Sequence, residues 1–227
     1  MQADYSGQAV TAPARAGGRA MRFEWRPVGV RKVGSAIDNA SKKAHLNGYA
    51  ASGQQDRWYG FSTYFPATGM APDSFPEIIT QWHETPDFSL GENWRTPPAA
   101  MVVRNDQLSF GWKYDRRPVT PDLGQNLPSQ GVSLGAVPKD RWVDFVFHIK
   151  WDPFGHGVVQ VWMNGRQVAD RTNVSVGYND ALTPFFCIGV YKYGSVAPYS
   201  QHSSRVIYFD EVRIGDGSAG YADVAPA

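Results

Sequence analysis

Short alternations of apolar and polar residues, interrupted by Gly, Pro, Asn or Asp, run the length of the chain. Successive side chains of an extended strand point to opposite faces, so a period of two predicts a strand with one buried face. RFEWRPV (22–28), RWYGFSTYFP (57–66), EIITQWHE (77–84), AAMVVRND (99–106) and QLSFGWKYD (107–115) read this way. So do WVDFVFHIKW (142–151), GVVQVWMNGRQVAD (157–170), PFFCIGVYKY (184–193) and SRVIYFDEVRIG (204–215). Asn164-Gly165 marks a hairpin, because both residues tolerate the positive φ of a tight two-residue turn. Helical periodicity is nearly absent; Ala36 to His45 has room for one short helical turn. The Pro-rich stretch 116–138 reads as a long loop at a cleft rim. Short strands with long returns and no fixed repeat predict an all-β jelly roll, a two-sheet antiparallel, concanavalin-like sandwich with a concave groove. Residues 21–216 form that single domain in this reading, with 1–20 a flexible lead-in and 217–227 a C-terminal tail.

Composition narrows the partners. Hydrophobic residues are 42% of the 227, enough for a sizeable core. Aromatics reach 14%, with eight Trp and eleven Tyr, which favours strands and supplies flat faces for sugar rings. A formal charge of +1 gives no global field to attract nucleic acid, so an acidic ligand needs a local basic patch. Cys187 is the single cysteine, which excludes an internal disulfide. No apolar run is long enough for a membrane span, and a monomer is expected. The first twenty residues lack the apolar stretch of a leader, so secretion or export to the periplasm would mean that a signal peptide has been removed.

Strand parity sorts the side chains that carry chemistry. In EIITQWHE, Ile79, Gln81 and His83 share one face, and Ile78, Thr80 and Trp82 the other. In PFFCIGVYKY, Phe186, Ile188 and Val190 form a core face; Cys187, Gly189, Tyr191 and Tyr193 look the opposite way. Tyrosines beside a glycine suit a groove floor where a ligand comes close to the backbone. Trp82 and Trp112 also read as core, and Arg22, Arg26, Arg104 and Arg205 as solvated strand-face charges. His148 and His156 carry no motif.

Gln81-Trp82-His83 resembles the Gln-x-His strand motif of alginate-type jelly-roll lyases, and Phe185 through Tyr191 is similar to their late strand, aromatic-Phe-Lys-x-Gly-x-Tyr. Arg57 through Phe61 with Tyr64-Phe65-Pro66, Trp142 through Trp151, Val161 through Gly165 and Ser204 through Asp210 resemble the heparin-lyase-I-like group, above all the glucuronan lyases of polysaccharide lyase family 20. The resemblance is collinear over residues 15–216. It implies a lyase that cleaves a 1,4-linked uronic-acid polymer by β-elimination. Lys43-Ala44-His45-Leu46 stands where such lyases have Arg-Ala-Glu-Leu or a variant, and a histidine in third place resembles the glucuronan lyases. Carried over, the site is His45, Gln81 and Tyr191, with His83 as a fourth candidate from the alginate-type motif. The lysine of the alginate-type late strand is Cys187 here, which weakens an alginate assignment more than a glucuronan one.

The residue types fit the chemistry. β-Elimination removes the proton on C5 of a uronate and expels O4, so the neighbouring carboxylate must be neutralised or hydrogen-bonded as enolate character develops. Gln81 and His45 can donate to it. In a glucuronate chain the C5 hydrogen and O4 lie on the same side, so Tyr191 can act as base and then as acid. For guluronate or iduronate they lie on opposite sides, and His83 or His45 would take the base role. Lys192 follows Tyr191 but points away; Lys113, Arg104 or His83 would favour the phenolate, and Lys113, Arg104, Tyr193 and Arg26 are candidate substrate contacts.

Two rivals remain at this level. A non-catalytic carbohydrate-binding jelly roll would keep aromatic and basic cleft residues without a His/Gln/Tyr cluster. A glycoside hydrolase needs two flanking carboxylates, and no Glu-x-Asp-x-x-Glu strand is present. The chemistry requires no cofactor; Asp210 resembles a last-strand ligand of a structural Ca²⁺. The expected partner is an anionic polysaccharide, with no nucleic acid and no membrane.

Overall fold

The structure is a computed structural model that describes residues 2–48, 53 and 55–227. Its strands, in chain order, are β1 (Gly7–Val10), β2 (Ala20–Trp25), β3 (Lys32–Val33), β4 (Ala36–Ile37), β5 (Lys43–Asn47), β6 (Asp56–Tyr64), β7 (Glu77–His83) and β8 (Ala99–Arg104). They continue with β9 (Gln107–Asp115), β10 (Ser129–Ala136), β11 (Trp142–Lys150), β12 (Asp152–Met163), β13 (Arg166–Tyr178), β14 (Phe185–Tyr191) and β15 (Arg205–Asp216). One sheet runs β1-β2-β15-β6-β11-β12-β13, the other β10-β9-β8-β7-β14-β5. Pairing inside each is antiparallel, and a short parallel contact of Gly177 and Tyr178 on β13 with Tyr114 and Asp115 on β9 joins the two. This is the two-sheet jelly roll that the alternation predicts.

Aromatic rings fill the space between the sheets. Phe61, Phe145 and Phe147 of the first sheet meet Trp82, Phe110 and Phe186 of the second, all essentially buried. Trp82 lies 4.9 Å from Phe147 and Phe110 lies 5.0 Å from it, centroid to centroid. Each such side chain removed from water contributes roughly 1.5–3 kcal/mol, so these rings are a main source of stability. Trp112 is also core. The Asn164-Gly165 turn links β12 to β13 with φ of 49° and 76°, as its dipeptide demands.

Several expectations are corrected. The segment 1–20 is not a free tail: β1 pairs with β2, and Gln2 exchanges hydrogen bonds with the Arg26 backbone. Nor does 217–227 hang loose; a short helix at Tyr221–Val224 buries Val224 against Gly60. Ala36 to His45 is not one helical turn but β4, a 3-10 turn at Asn39–Lys42 capped by Asp38, and the start of β5. Residues 129–136 of the supposed loop 116–138 are β10, whose Gly131 and Gly135 interrupt the alternation that would have revealed it.

Strand parity also fails at one point. β7 carries an extra residue against β8 between Ile78 and Thr80, and β14 carries one against β7 between Ile188 and Tyr191. A bulge turns later side chains to the other face. Ile79 therefore joins the core while Ile78 faces outward with Gln81 and His83. Arg205 is no solvated charge: it is buried and bonds Glu77 through two nitrogens, at 2.9 and 2.6 Å. Lys192, which points away from the Tyr191 face as expected, sits 3.0 Å from Asp73 and 3.3 Å from Glu77.

Candidate active site

The outward face of the β10-β9-β8-β7-β14-β5 sheet forms a groove of about 810 Å³. Its floor is made of small side chains, Ala100 on β8, Gly111 on β9 and Gly131 on β10, which lie in one row with Gln81 and Cys187. Two loops, 84–98 and 116–128, build one end; Asn39, Lys42, Tyr193 and Ser195 build the other.

Tyr191 stands in this groove at the end of β14. β5 runs beside it, so that Lys43 pairs with Tyr191 and His45 with Gly189. The His45 ring centre is 6.4 Å from that of Tyr191, and the Lys43 Nζ is 4.7 Å from the Tyr191 ring centre. The close approach of the two strands requires a glycine: Gly189 has φ +135°, and a Cβ there would lie 2.2 Å from the Ala44 carbonyl oxygen and 2.6 Å from His45. Tyr193 meets Tyr191 edge to face at 6.1 Å.

Burial governs the protonation states. It pushes the His45 imidazole down to about 3, helped by the Lys43 charge, so His45 is neutral at ordinary pH. It raises the Tyr191 phenol above its usual range and lowers the Lys43 ammonium, which the Glu84 charge partly restores. Tyr191 therefore rests protonated, with an ammonium beside it as the group that favours ionisation. Burial also pushes the Cys187 thiol up to about 12.

His83 lines the groove, stacked on Phe185 at 5.6 Å, with Nδ1 3.2 Å from the Glu84 carboxylate. Gln81 shares the face of His83 but is sunk below the floor, only 1% exposed, beside Cys187 on the paired strand and with its Oε1 without a hydrogen-bond partner. Lys113 lines the groove and donates to the Thr96 hydroxyl (3.2 Å) and the Gly124 carbonyl (3.1 Å). Arg104 lies at the rim, bonded to the Ser74 carbonyl, its charge felt by Tyr193. Arg26 is misplaced by the sequence reading: it belongs to the other sheet's side, paired with Glu24 and lying over Tyr5 at 4.2 Å.

The two Asp210 oxygens accept the backbone N–H groups of Arg15, Ala16 and Glu211. Among the described residues, the carboxylates that converge are Asp87, Glu92 and Asp180, with oxygens within 4.8 Å of one another. There the Arg95 guanidinium already holds Glu92 at 2.5 Å and Asp180 at 2.7 Å, which supplies the positive charge that an ion would bring.

Lys42, Lys43, Trp94 and Arg95 escaped the sequence reading. Lys43 lay inside a quoted motif, but its contact with Tyr191 depends on a pairing between distant strands. Trp94 and Arg95 lie on a loop without periodicity.

Comparison with known proteins accords with this geometry. A family described as polysaccharide lyase matches residues 1–213. The chain belongs to that family. Among solved structures, this polysaccharide lyase is similar to an endo-β-1,4-glucuronan lyase from the fungus Trichoderma reesei, with a TM-score of 0.76 and 20% identity over 97% of this chain and 89% of that one. It is also similar to alginate lyase A1-II′, a member of polysaccharide lyase family 7 (TM-score 0.55, 14% identity, 94% and 84% of the two chains). A third is alginate lyase AlyC3 in complex with dimannuronate (TM-score 0.56, 10% identity, 87% and 74%). No curated protein matches the chain. The polysaccharide lyase is thus a carbon–oxygen lyase on a jelly roll, and among the described residues no helix is long and apolar enough to cross a membrane.

Proposed function

We propose that this lyase cleaves a 1,4-linked uronic-acid polymer, with β-1,4-glucuronan as its substrate and alginate or another glycuronan as the alternative, to leave 4,5-unsaturated uronate ends. The observation that carries the reading is the Tyr191 phenol in the groove with the His45 imidazole and Lys43 ammonium on the adjoining strand. Tyr191 first loses its own proton to solvent; the phenolate then takes the C5 proton, the C4–O4 bond breaks as its electrons leave with oxygen, and the C5–H pair forms the C4–C5 double bond. The same phenol then returns the proton to O4. Lys43 offsets the charge that develops on the substrate carboxylate, and neutral His45 donates a hydrogen bond to it. Gln81 supports from beneath, in the row of the groove floor, with its buried oxygen unpartnered. His83 assists from the groove wall, and Tyr193, Arg104 and Lys113 contact neighbouring sugar units. Action inside the polymer and release outside the cell belong to the same proposal.

A binding module would have no need of a phenol, an imidazole and an ammonium packed around one point. Tyr191→Phe separates the readings. The variant should lose at least about 100-fold in turnover, the usual worth of a positioned acid–base group, while polymer binding stays within a few-fold. Far-ultraviolet absorbance of the unsaturated product measures turnover. Near-parental elimination by the phenylalanine variant would remove Tyr191 from the chemistry, and reducing ends without absorbance would mean hydrolysis.

A further inference from the structure

Trp94 has no place in the chemistry just described, yet it is a large apolar side chain held 54% exposed on the groove wall. Its surroundings are rigid. The next residue, Arg95, is buried and paired with Glu84, Glu92 and Asp180. Two residues on, Thr96 ties the 84–98 loop to the 116–128 loop: its hydroxyl donates to the Gly124 carbonyl at 2.8 Å, and its N–H donates to the Leu123 carbonyl at 2.9 Å. The Tyr178 hydroxyl donates to the Thr96 carbonyl at 2.9 Å. The backbone under the indole is thus fixed before any ligand arrives. The ring itself meets His83 and Phe88 at steep angles, 64° and 72°, so neither lies flat against it.

The same wall carries a cation with an unused donor. The Lys113 ammonium has three N–H bonds, and the two acceptors it meets, Thr96 Oγ1 and Gly124 O, leave one. Burial lowers its pKa, and the Glu84 charge offsets only part of that. Lys113 stands in the row of His83, and Ser109 in the row of Tyr191; the two are four residues apart on β9, about 13 Å along the strand.

We infer that Trp94 and Lys113 form a second uronate subsite, away from the bond that breaks, where the indole stacks on the apolar face of one pyranose and the ammonium takes its carboxylate. This rests on the uronan reading of the groove and adds a named place for a unit that is held but not cleaved. An exposed indole on a rigid loop loses little entropy on stacking, which is why such a residue contributes binding rather than chemistry.

Kinetics and binding on the intact enzyme test it, with glucuronan polymer and its shortest cleavable oligomer as probes. Trp94→Ala should raise the polymer KM about tenfold and leave kcat within about twofold, as loss of roughly 1.4 kcal/mol of uniform binding requires. Trp94→Phe keeps a stacking face and should restore KM to within about threefold. Lys113→Met should weaken uronate binding and leave that of a neutral β-1,4-glucan unchanged. An active parent whose KM is unmoved by Trp94→Ala overturns the subsite and leaves the uronan reading intact. A parent that neither binds nor cleaves any uronan overturns both. A change in the oligomeric state of Trp94→Ala with no change in KM assigns the indole to a protein contact instead and also overturns the subsite.

Discussion

Tyr191 is held between two opposed influences. Burial and the neighbouring Tyr193 keep its proton on, and the ammonium of Lys43, 4.7 Å from the ring centre, is the cation placed to oppose them. If the phenol is the base, kcat/KM should climb as pH rises above neutrality. His45, which titrates near 3, should impose no acid limb. Replacing Lys43 with Met should move the rising limb upward by about one pH unit, the usual effect of removing one nearby opposite charge. A limb that stays in place would show that the ammonium does not tune the phenol. At this scale the sequence was informative where motif residues lie on strands, because alternation puts Gln81 with His83 on one face of their strand and Tyr191 on the face of its strand opposite Phe186, Ile188 and Val190. It was mute on Lys43, whose partner is some 150 positions away, and it misjudged Arg26, because alternation within β2 does not say which sheet β2 joins.

β14 delivers that tyrosine, and its far face is nailed down. Lys192, the next residue, is fully buried between Asp73 and Glu77, and Glu77 also grips Arg205 of β15. Charges removed from water hold together only while each has its partner. Glu77→Gln should therefore cost about 3–5 kcal/mol in unfolding free energy, measured by chemical denaturation. Surviving folded enzyme should also turn over more slowly, because the end of β14 is no longer fixed. A loss below about 1 kcal/mol would mark the cluster as a solvated pair instead. Most strands were legible from alternation, but the two bulges were not. Each adds one residue without changing the local composition, so Ile78 and Ile79 exchange faces with no signature in the sequence.

Across the whole molecule, the pairing of the 84–98 loop with the 180 region decides how the groove end responds to pH. Glu84, Glu92 and Asp180 crowd one guanidinium, and burial lifts the Asp180 carboxyl to about 7. In the unfolded chain it ionises near ~3.9. The folded protein therefore retains a proton that the unfolded chain has released across that interval. The stability from this group is complete below about pH 4 and is lost as pH rises through about 7. Asp180→Asn should flatten the thermal midpoint against pH between those limits; a parallel pair of curves would refute the assignment. Finally, the trough exists by omission. Its depth comes from positions where side chains are small or missing, and these are not equivalent. A methyl added at Gly111 would meet its nearest neighbour at 3.5 Å, an ordinary contact, whereas one at Gly189 would collide with the adjoining backbone. Retuning which polymer fits is therefore a matter of adding bulk at Gly111, while the spacing of the reactive strands is closed to adjustment.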